Sequence, residues 1–205
     1  MHRPLFIVIE GLDGSGKSTQ IDLLRDYFQS HGTACHVTAE PTDLPTGKLI
    51  RSVLRKEISV DPRTLAAMFA ADRIEHLFHP EVGILAKLAA GYHVVASRYY
   101  FSSLAYQSEF VDPGFVASLN SLAKVTLPAD LTIFLDLEPE VSMQRIRNRP
   151  GEDELFETLE KLQHVRESFL NAFTVYGGDE NIHHINAAGE INQVAEAIQD
   201  LVNKV

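Results

Sequence analysis

The 205-residue sequence predicts an α/β fold, a five-stranded parallel sheet flanked by helices on both faces, in a single domain over residues 1–205. Three observations lead there. Apolar runs of strand length alternate with longer segments of helical period. A glycine-rich loop joins the first run to the first helical segment. No internal repeat, low-complexity tract or linker divides the chain, and its length suits one hydrophobic core.

The elements follow in order. Residues 5–9 are apolar throughout, as a strand covered on both faces is. In the helix predicted over 19–30, Ile21, Leu24 and Phe28 recur at helical spacing. Leu23 and Tyr27 widen the stripe, Asp22, Arg25, Asp26 and Gln29 face away, and Gly32 ends it. A strand at 34–38 follows, in which Cys35 reads as core, then helices at 46–56, 62–78 and 81–90. The third strand, 93–96, leads to a hydroxyl-rich segment and a helix at 115–124. Strand 131–135, helices 139–148 and 155–176, strand 184–186 and helix 190–202 complete the alternation. The polar stretch 149–154 reads as a mobile loop.

Charge and cysteine content exclude several classes. With 18 Lys and Arg against 28 Asp and Glu, the net charge of −10 argues against a general nucleic-acid binder and against an anionic membrane surface. One cysteine permits no intrachain disulfide and no cysteine-based zinc framework, and the histidines have no metal-ligand spacing. The N-terminal apolar run is too short for a secretory signal, and no stretch approaches membrane-spanning length, so a cytoplasmic location is expected. The acidity is uneven: residues 1–149 carry 15 Lys and Arg against 17 Asp and Glu, and residues 150–205 carry 3 against 11. A pocket for small anions is compatible with that distribution.

Gly11-Leu12-Asp13-Gly14-Ser15-Gly16-Lys17-Ser18 fits G-x-x-x-x-G-K-[ST], the P-loop, with a strand before it and a helix after it. Its glycines let successive N–H groups turn inward onto phosphate oxygens, and the helix start adds its positive dipole end. Lys17 suits the β- and γ-phosphates, and the Ser18 hydroxyl suits Mg²⁺. The ATP-binding stretch runs from Gly11 to Thr19. The second Gly-Lys pair, Gly47-Lys48, reads as an ordinary helix start. A P-loop alone leaves kinase, GTPase and motor open. No N-K-x-D for reading guanine occurs, since the one Asn-Lys pair is Asn203-Lys204.

A small-molecule kinase needs an acceptor site, and two segments supply candidates. Phe69 and Arg73 are spaced i, i+4 on one predicted helix, where an aromatic face beside a guanidinium suits a planar base. Spacing alone favours another reading, with Phe69 in the core and Arg73 paired at the surface with Asp72 or Glu75. The second segment runs from His93 to Gln107. Arg98 stands at a strand's C-terminal end, where ligands gather in open parallel sheets, and the following hydroxyls and amide suit a base or sugar. A tyrosine-rich packing turn fits the same residues.

These residues resemble the thymidylate kinase family. The resemblance rests on the P-loop of 6–20, Glu40-Pro41-Thr42, Phe69-x-x-x-Arg73, Arg98-Tyr99-x-x-Ser102-x-x-Ala105-Tyr106-Gln107, the 130–136 strand and the arginine-bearing helix 145–149. It runs in order over about residues 5–190 and implies a P-loop kinase fold with a lid at about 145–157. It implies γ-phosphoryl transfer from MgATP to dTMP, giving dTDP and ADP, in a homodimer with no nucleic-acid or membrane partner.

Phe69 would then stack on thymine, and Arg73 would donate to its O4. Arg98 would hold the monophosphate, supported by Arg51. Tyr106 would close the space beside C2′, and Ser103 and Gln107 would contact the base edge. Asp13 would accept from the 3′-hydroxyl or a metal-bound water, so Ser18 and Asp13 are the metal candidates, and Glu10 and Glu40 would line the same pocket. Gly14 stands where some members carry a P-loop arginine, so the catalytic arginine would come from the lid, Arg149 first and Arg145 second. The 186–189 turn would pass near adenine. One departure stands out: Ser97 occupies the position of the family's aspartate beside the metal. Asp13, Glu10 or Glu157 would compensate; otherwise the chain is a kinase of shifted acceptor preference or an inactive nucleotide-binding relative.

Overall fold

A computed structural model describes residues 3–148 and 158–205. Strands β1 (Phe6–Gly11), β2 (Cys35–Ala39), β3 (His93–Ser97), β4 (Leu131–Asp136) and β5 (Ile182–Asn186) form one sheet in the order β2-β3-β1-β4-β5. Every pairing is parallel. The register pairs Ile9 with Ser97 and Gly11 with Leu135, so β1, β3 and β4 end on one edge of the sheet.

Alternation along β1 explains the two helical layers. Phe6 and Val8 face a core built with Phe134, Phe169 and Phe173, and Leu5, Ile7 and Ile9 face another with Ile21, Leu24 and Phe28. The first core lies under α5 (Tyr100–Tyr106), α6 (Pro113–Thr126) and α8 (Leu159–Tyr176), and the second under α1 (Lys17–Ser30) and α9 (Ile191–Val202). The other helices among the described residues are α2 (Pro45–Leu54), α3 (Pro62–Phe78), α4 (Ile84–Ala89) and α7 (Pro139–Arg147). Local chemistry sets their starts. Asp61, Asp112 and Thr158 each accept a backbone N–H at the first turn of α3, α6 and α8, and proline stands at the first position of α3 and α6.

Three expectations need correction. The 93–107 segment does not stay a strand followed by a turn: α5 begins at Tyr100 and a short 3₁₀ turn follows at Gln107–Glu109. Residues 100–105 are all buried, so α5 has no polar stripe for a periodicity to reveal. The edge strands β2 and β5 are only partly covered, and Cys35 is half-buried. Burial still pushes its thiol up to about 11. Residues 81–83 precede α4 rather than belonging to it. The mobile-loop reading of 149–154 lies outside the described residues.

Phe134 is fully buried, with ring centroids 5.2 Å from Phe169 and 5.1 Å from Phe173. Phe134→Ala is expected to destabilise the protein by about 3–5 kcal/mol, measured from urea unfolding at constant m-value. A loss within experimental error would place the main core elsewhere.

Candidate active site

The P-loop lies between β1 and α1 with a backbone that requires its glycines. Gly11 has φ 148°, and a Cβ there would come within 2.8 Å of Ser15 Oγ and 2.9 Å of the Leu135 carbonyl oxygen. Gly14 has φ 83° and would meet the Ser142 carbonyl oxygen at 2.8 Å. Ser142 on α7 also donates its hydroxyl to the Asp13 carbonyl, which fastens the loop. Lys17 is buried, and its ammonium donates to the carbonyl oxygens of Gly11 at 2.9 Å and Leu12 at 2.7 Å. Ser15 Oγ is buried with no hydrogen-bond partner among the described residues. A buried, unsatisfied hydroxyl beside a buried ammonium fits an incoming phosphate. Ser18 and Thr19 are exposed in the first turn of α1.

Arg98 is linked to Glu10 through Ser102. This carboxylate is fully buried and accepts from the Tyr99 N–H at 2.9 Å, the Ser102 N–H at 3.2 Å and the Ser102 hydroxyl at 2.5 Å. Ser102 Oγ in turn accepts from Arg98 Nη1 at 3.1 Å. The Arg98 backbone N–H donates to the Ile9 carbonyl at 3.0 Å, and Arg98 itself is left-handed, with φ 71°. A left-handed non-glycine residue costs about 1–2 kcal/mol and persists only where its surroundings impose it. Glu10 therefore does not line the acceptor pocket, as expected from sequence, but stands behind it. Burial pushes its carboxyl above the ordinary 4.5, against the Ser102 hydroxyl and the Arg98 charge, which pull it down.

Asp13 reaches between the two principal cations, 2.6 Å from Arg98 Nη2 and 3.9 Å from Lys17 Nζ. Arg98 also donates to the Tyr106 hydroxyl at 3.2 Å and lies 4.8 Å from the Tyr106 ring centroid. Burial works against the Arg98 charge, but Tyr106, Asp13 and Glu10 together raise its pKa above the usual arginine value.

A cavity of about 400 Å³ opens beside this group. It is lined by Asp13, Glu40, Phe69, Arg73, Arg98, Ser103, Tyr106 and Gln107, eight residues named from the sequence. Arg73 is not paired at the surface with Asp72 or Glu75. It is fully buried, and each of its N–H groups faces an acceptor. Nε donates to Glu40 Oε2 at 2.8 Å, Nη1 to Ser103 Oγ at 2.9 Å and to Asn120 Oδ1, and Nη2 to the Tyr99 carbonyl at 3.0 Å, with Glu40 Oε2 at 2.6 Å. Glu40 is held further by His76 Nδ1 at 3.0 Å. Gln107 Oε1 is buried and without a hydrogen-bond partner among the described residues.

Other expected residues stand elsewhere. Arg51 lines a neighbouring groove of about 760 Å³ together with Ser18 and Ser97, donating to the Pro41 carbonyl at 2.7 Å and pairing with Asp43. Arg145 donates to the Ala187 carbonyl at 3.0 Å and so supports the 186–189 turn. Arg149 and Glu157 lie outside the described residues. Sequence reasoning gave no site role to Asn120, Lys161 or Phe110, and it read the hydroxyls after Arg98, Ser102 among them, as suited to a base or sugar rather than to holding Arg98. Lys161 and Phe110 line the cavity, and Asp72 fixes the preceding loop through the Thr42 N–H and hydroxyl. A polar Asn120 within α6 was the one signal available.

The family model described as Thymidylate kinase matches residues 9–198. The chain belongs to the thymidylate kinase family. It is 37% identical over 213 residues to the "Probable thymidylate kinase" of Thermococcus kodakarensis, covering 98% of this chain and 100% of that relative. It is 40% identical over 201 residues to the protein of the same description from Pyrobaculum aerophilum, covering 98% and 97%. As a thymidylate kinase the chain is an enzyme that phosphorylates dTMP with ATP. No finding favours the shifted or inactive alternatives that Ser97 opened.

Glu10 gives this thymidylate kinase a defined pH dependence of stability. A carboxyl whose folded pKa lies above its unfolded value contributes most below the ordinary carboxylate range, and loses that contribution as pH rises through the raised value. The stability of Glu10→Gln relative to wild type is expected to improve as pH rises above the ordinary carboxylate range, read from urea midpoints. A pH-independent difference would mean that Glu10 titrates normally.

Proposed function

We propose that the cavity holds dTMP with its base between Phe69 and the Arg73–Ser103–Gln107 edge, and its phosphate on Arg98. The observation that carries this reading is the buried Gln107 Oε1, an acceptor that lacks a donor among the described residues in a cavity that Arg98 also lines. Thymine N3 has a hydrogen to donate to it. Cytosine N3 has none, so it would meet this acceptor only if the Gln107 amide turned to present its NH2 group. Tyr106, held by Arg98, stands where a ribose 2′-hydroxyl would intrude.

The ATP triphosphate lies along the P-loop, where Lys17 exchanges its carbonyl partners for β- and γ-phosphate oxygens and Ser15 gains an acceptor. Ser18 and Asp13 are the residues suited to hold Mg²⁺. A P-loop magnesium ion takes most of its ligands from phosphates and water, so the absence of an acidic cluster among the described residues is compatible with it. When bound, the ion neutralises charge on the bridging phosphates. Arg98 trades Asp13 for the dTMP phosphate as it arrives, which frees Asp13 for the sugar or the metal's water shell. An oxygen of that phosphate, anionic at neutral pH, attacks the γ-phosphorus in line. The bond to the β-phosphate oxygen breaks, and ADP and dTDP leave. No general base is required, so alignment and charge neutralisation carry the rate. On the family resemblance, Arg149 is the lid arginine that joins the donor phosphates, and Arg51 supports the acceptor phosphate.

The reading includes a cytoplasmic homodimer. Among the described residues no helix is long and apolar enough to cross a membrane. Ala71, Ile74 and Phe78 on α3 and Phe115, Leu122 and Val125 on α6 are exposed on two helices that pack together, and a second copy would cover them.

In a coupled assay of ADP release, dTMP is expected to support turnover far above dCMP, GMP or AMP. Phe69→Ala should mainly raise the dTMP KM, and Arg149→Ala should mainly lower kcat. Absence of dTMP-dependent turnover at millimolar acceptor would refute the reading. Sedimentation should give twice the 22.8 kDa chain mass, and Phe78→Glu with Leu122→Glu should halve it. A wild-type monomer would remove the dimer from the proposal.

A further inference from the structure

Asn120 stands outside the acceptor cavity, inside α6, and is buried. Asparagine is a poor residue for a helix interior unless its side chain finds a local partner. Here Nδ2 donates to the Val116 carbonyl at 2.8 Å, one turn back on the same helix. That bond fixes the amide, so the atom turned toward Arg73 is the acceptor Oδ1.

The acceptors around Arg73 then divide in two. Ser103 and Glu40 line the cavity, whereas Asn120 and the Tyr99 carbonyl do not. Glu40 holds the Nε and Nη2 edge of the guanidinium, and Asn120 holds one hydrogen of Nη1 at the other end. The second Nη1 hydrogen is on Ser103 Oγ, at the cavity wall. A carbonyl oxygen entering the cavity can share or replace that single bond while the rest of the fork stays fixed. Without Asn120 the fork would keep Glu40 and the Tyr99 carbonyl at its Nε and Nη2 edge, but Nη1 would have Ser103 alone, so both of its hydrogens would compete for the same wall of the cavity.

We infer that Asn120 is a positioning residue for acceptor recognition: by holding one Nη1 hydrogen of Arg73, it presents the other to the 4-oxygen of a pyrimidine acceptor. The inference rests on the dTMP reading above. It involves no contact between Asn120 and substrate.

The test uses full-length wild type, Asn120→Leu, which removes the acceptor at similar volume, and Asn120→Ala as a second variant. Each is assayed for dTMP, dCMP and ATP kinetics and for equilibrium binding of dTMP and a non-hydrolysable ATP analogue. The expected result is a dTMP KM and Kd raised about tenfold or more, a reduced preference for dTMP over dCMP, and kcat and ATP-analogue affinity within about twofold of wild type. The ATP-analogue measurement reports folding of the P-loop face in the same samples. An unchanged dTMP KM in a variant that binds the analogue normally overturns the inference while leaving the dTMP reading intact. Parallel loss of affinity for both nucleotides in both variants also overturns it, because Asn120 then serves the fold at large. Wild type without dTMP turnover overturns the inference and the reading together.

Discussion

The buried Glu10 carboxyl group is the point that joins the strand before the P-loop to the turn that carries Arg98. It is the penultimate residue of β1, adjacent to the first P-loop glycine, and it takes the N–H groups that open the 98–102 turn. A charge in such a place is costly unless it is fully hydrogen-bonded and near a cation. Three donors and the nearby Arg98 charge offset part of that cost, and burial still holds the carboxyl above its ordinary range. These donors follow Arg98 in the chain, which is itself left-handed and donates to Asp13 and Tyr106. The strand that leads into the P-loop and the turn that carries Arg98 are thereby joined at one carboxyl group.

The acceptor end follows a similar logic with a different outcome. Arg73 has its donors satisfied before any base arrives, and Glu40 is itself held by His76, which Thr38 holds in turn at 2.6 Å. Such a network is rigid, and it makes base binding an exchange of one hydrogen bond for another rather than a new gain. On the proposed reading, discrimination comes from what a wrong base leaves unpaired, with Gln107 as the open position.

Much of this was legible in the sequence because it is local. The P-loop, the strand before it and the Ile21-Leu24-Phe28 stripe each fall within a few residues, and α1 buries those three side chains. The central strands β1 and β4 were readable because a strand inside a parallel sheet is apolar along most of its length, whereas β2 and β5 lie at the edges and are only partly covered. The segment after Arg98 was harder: α5 is buried nearly all round, so its helical period leaves no polar trace. Arg73 was misplaced by spacing alone, because the residues that make its burial tolerable are far off in the chain. Glu40 is 33 residues away and Asn120 is 47. The role of Glu10 was missed for the same reason, since its partners lie 89 and 92 residues on.

The pairing of β1 with β3 has a consequence for chemistry and for ligands. The P-loop leaves the end of one strand and Arg98 the end of its neighbour, with Ile9 opposite Ser97. Adjacent strands in a sheet lie about 4.8 Å apart, a spacing that backbone hydrogen bonds set and side chains hardly alter. The points from which the P-loop and Arg98 depart are thus fixed by the sheet itself. Substitutions in the surrounding loops can change where their side chains reach, but not the separation of those two points.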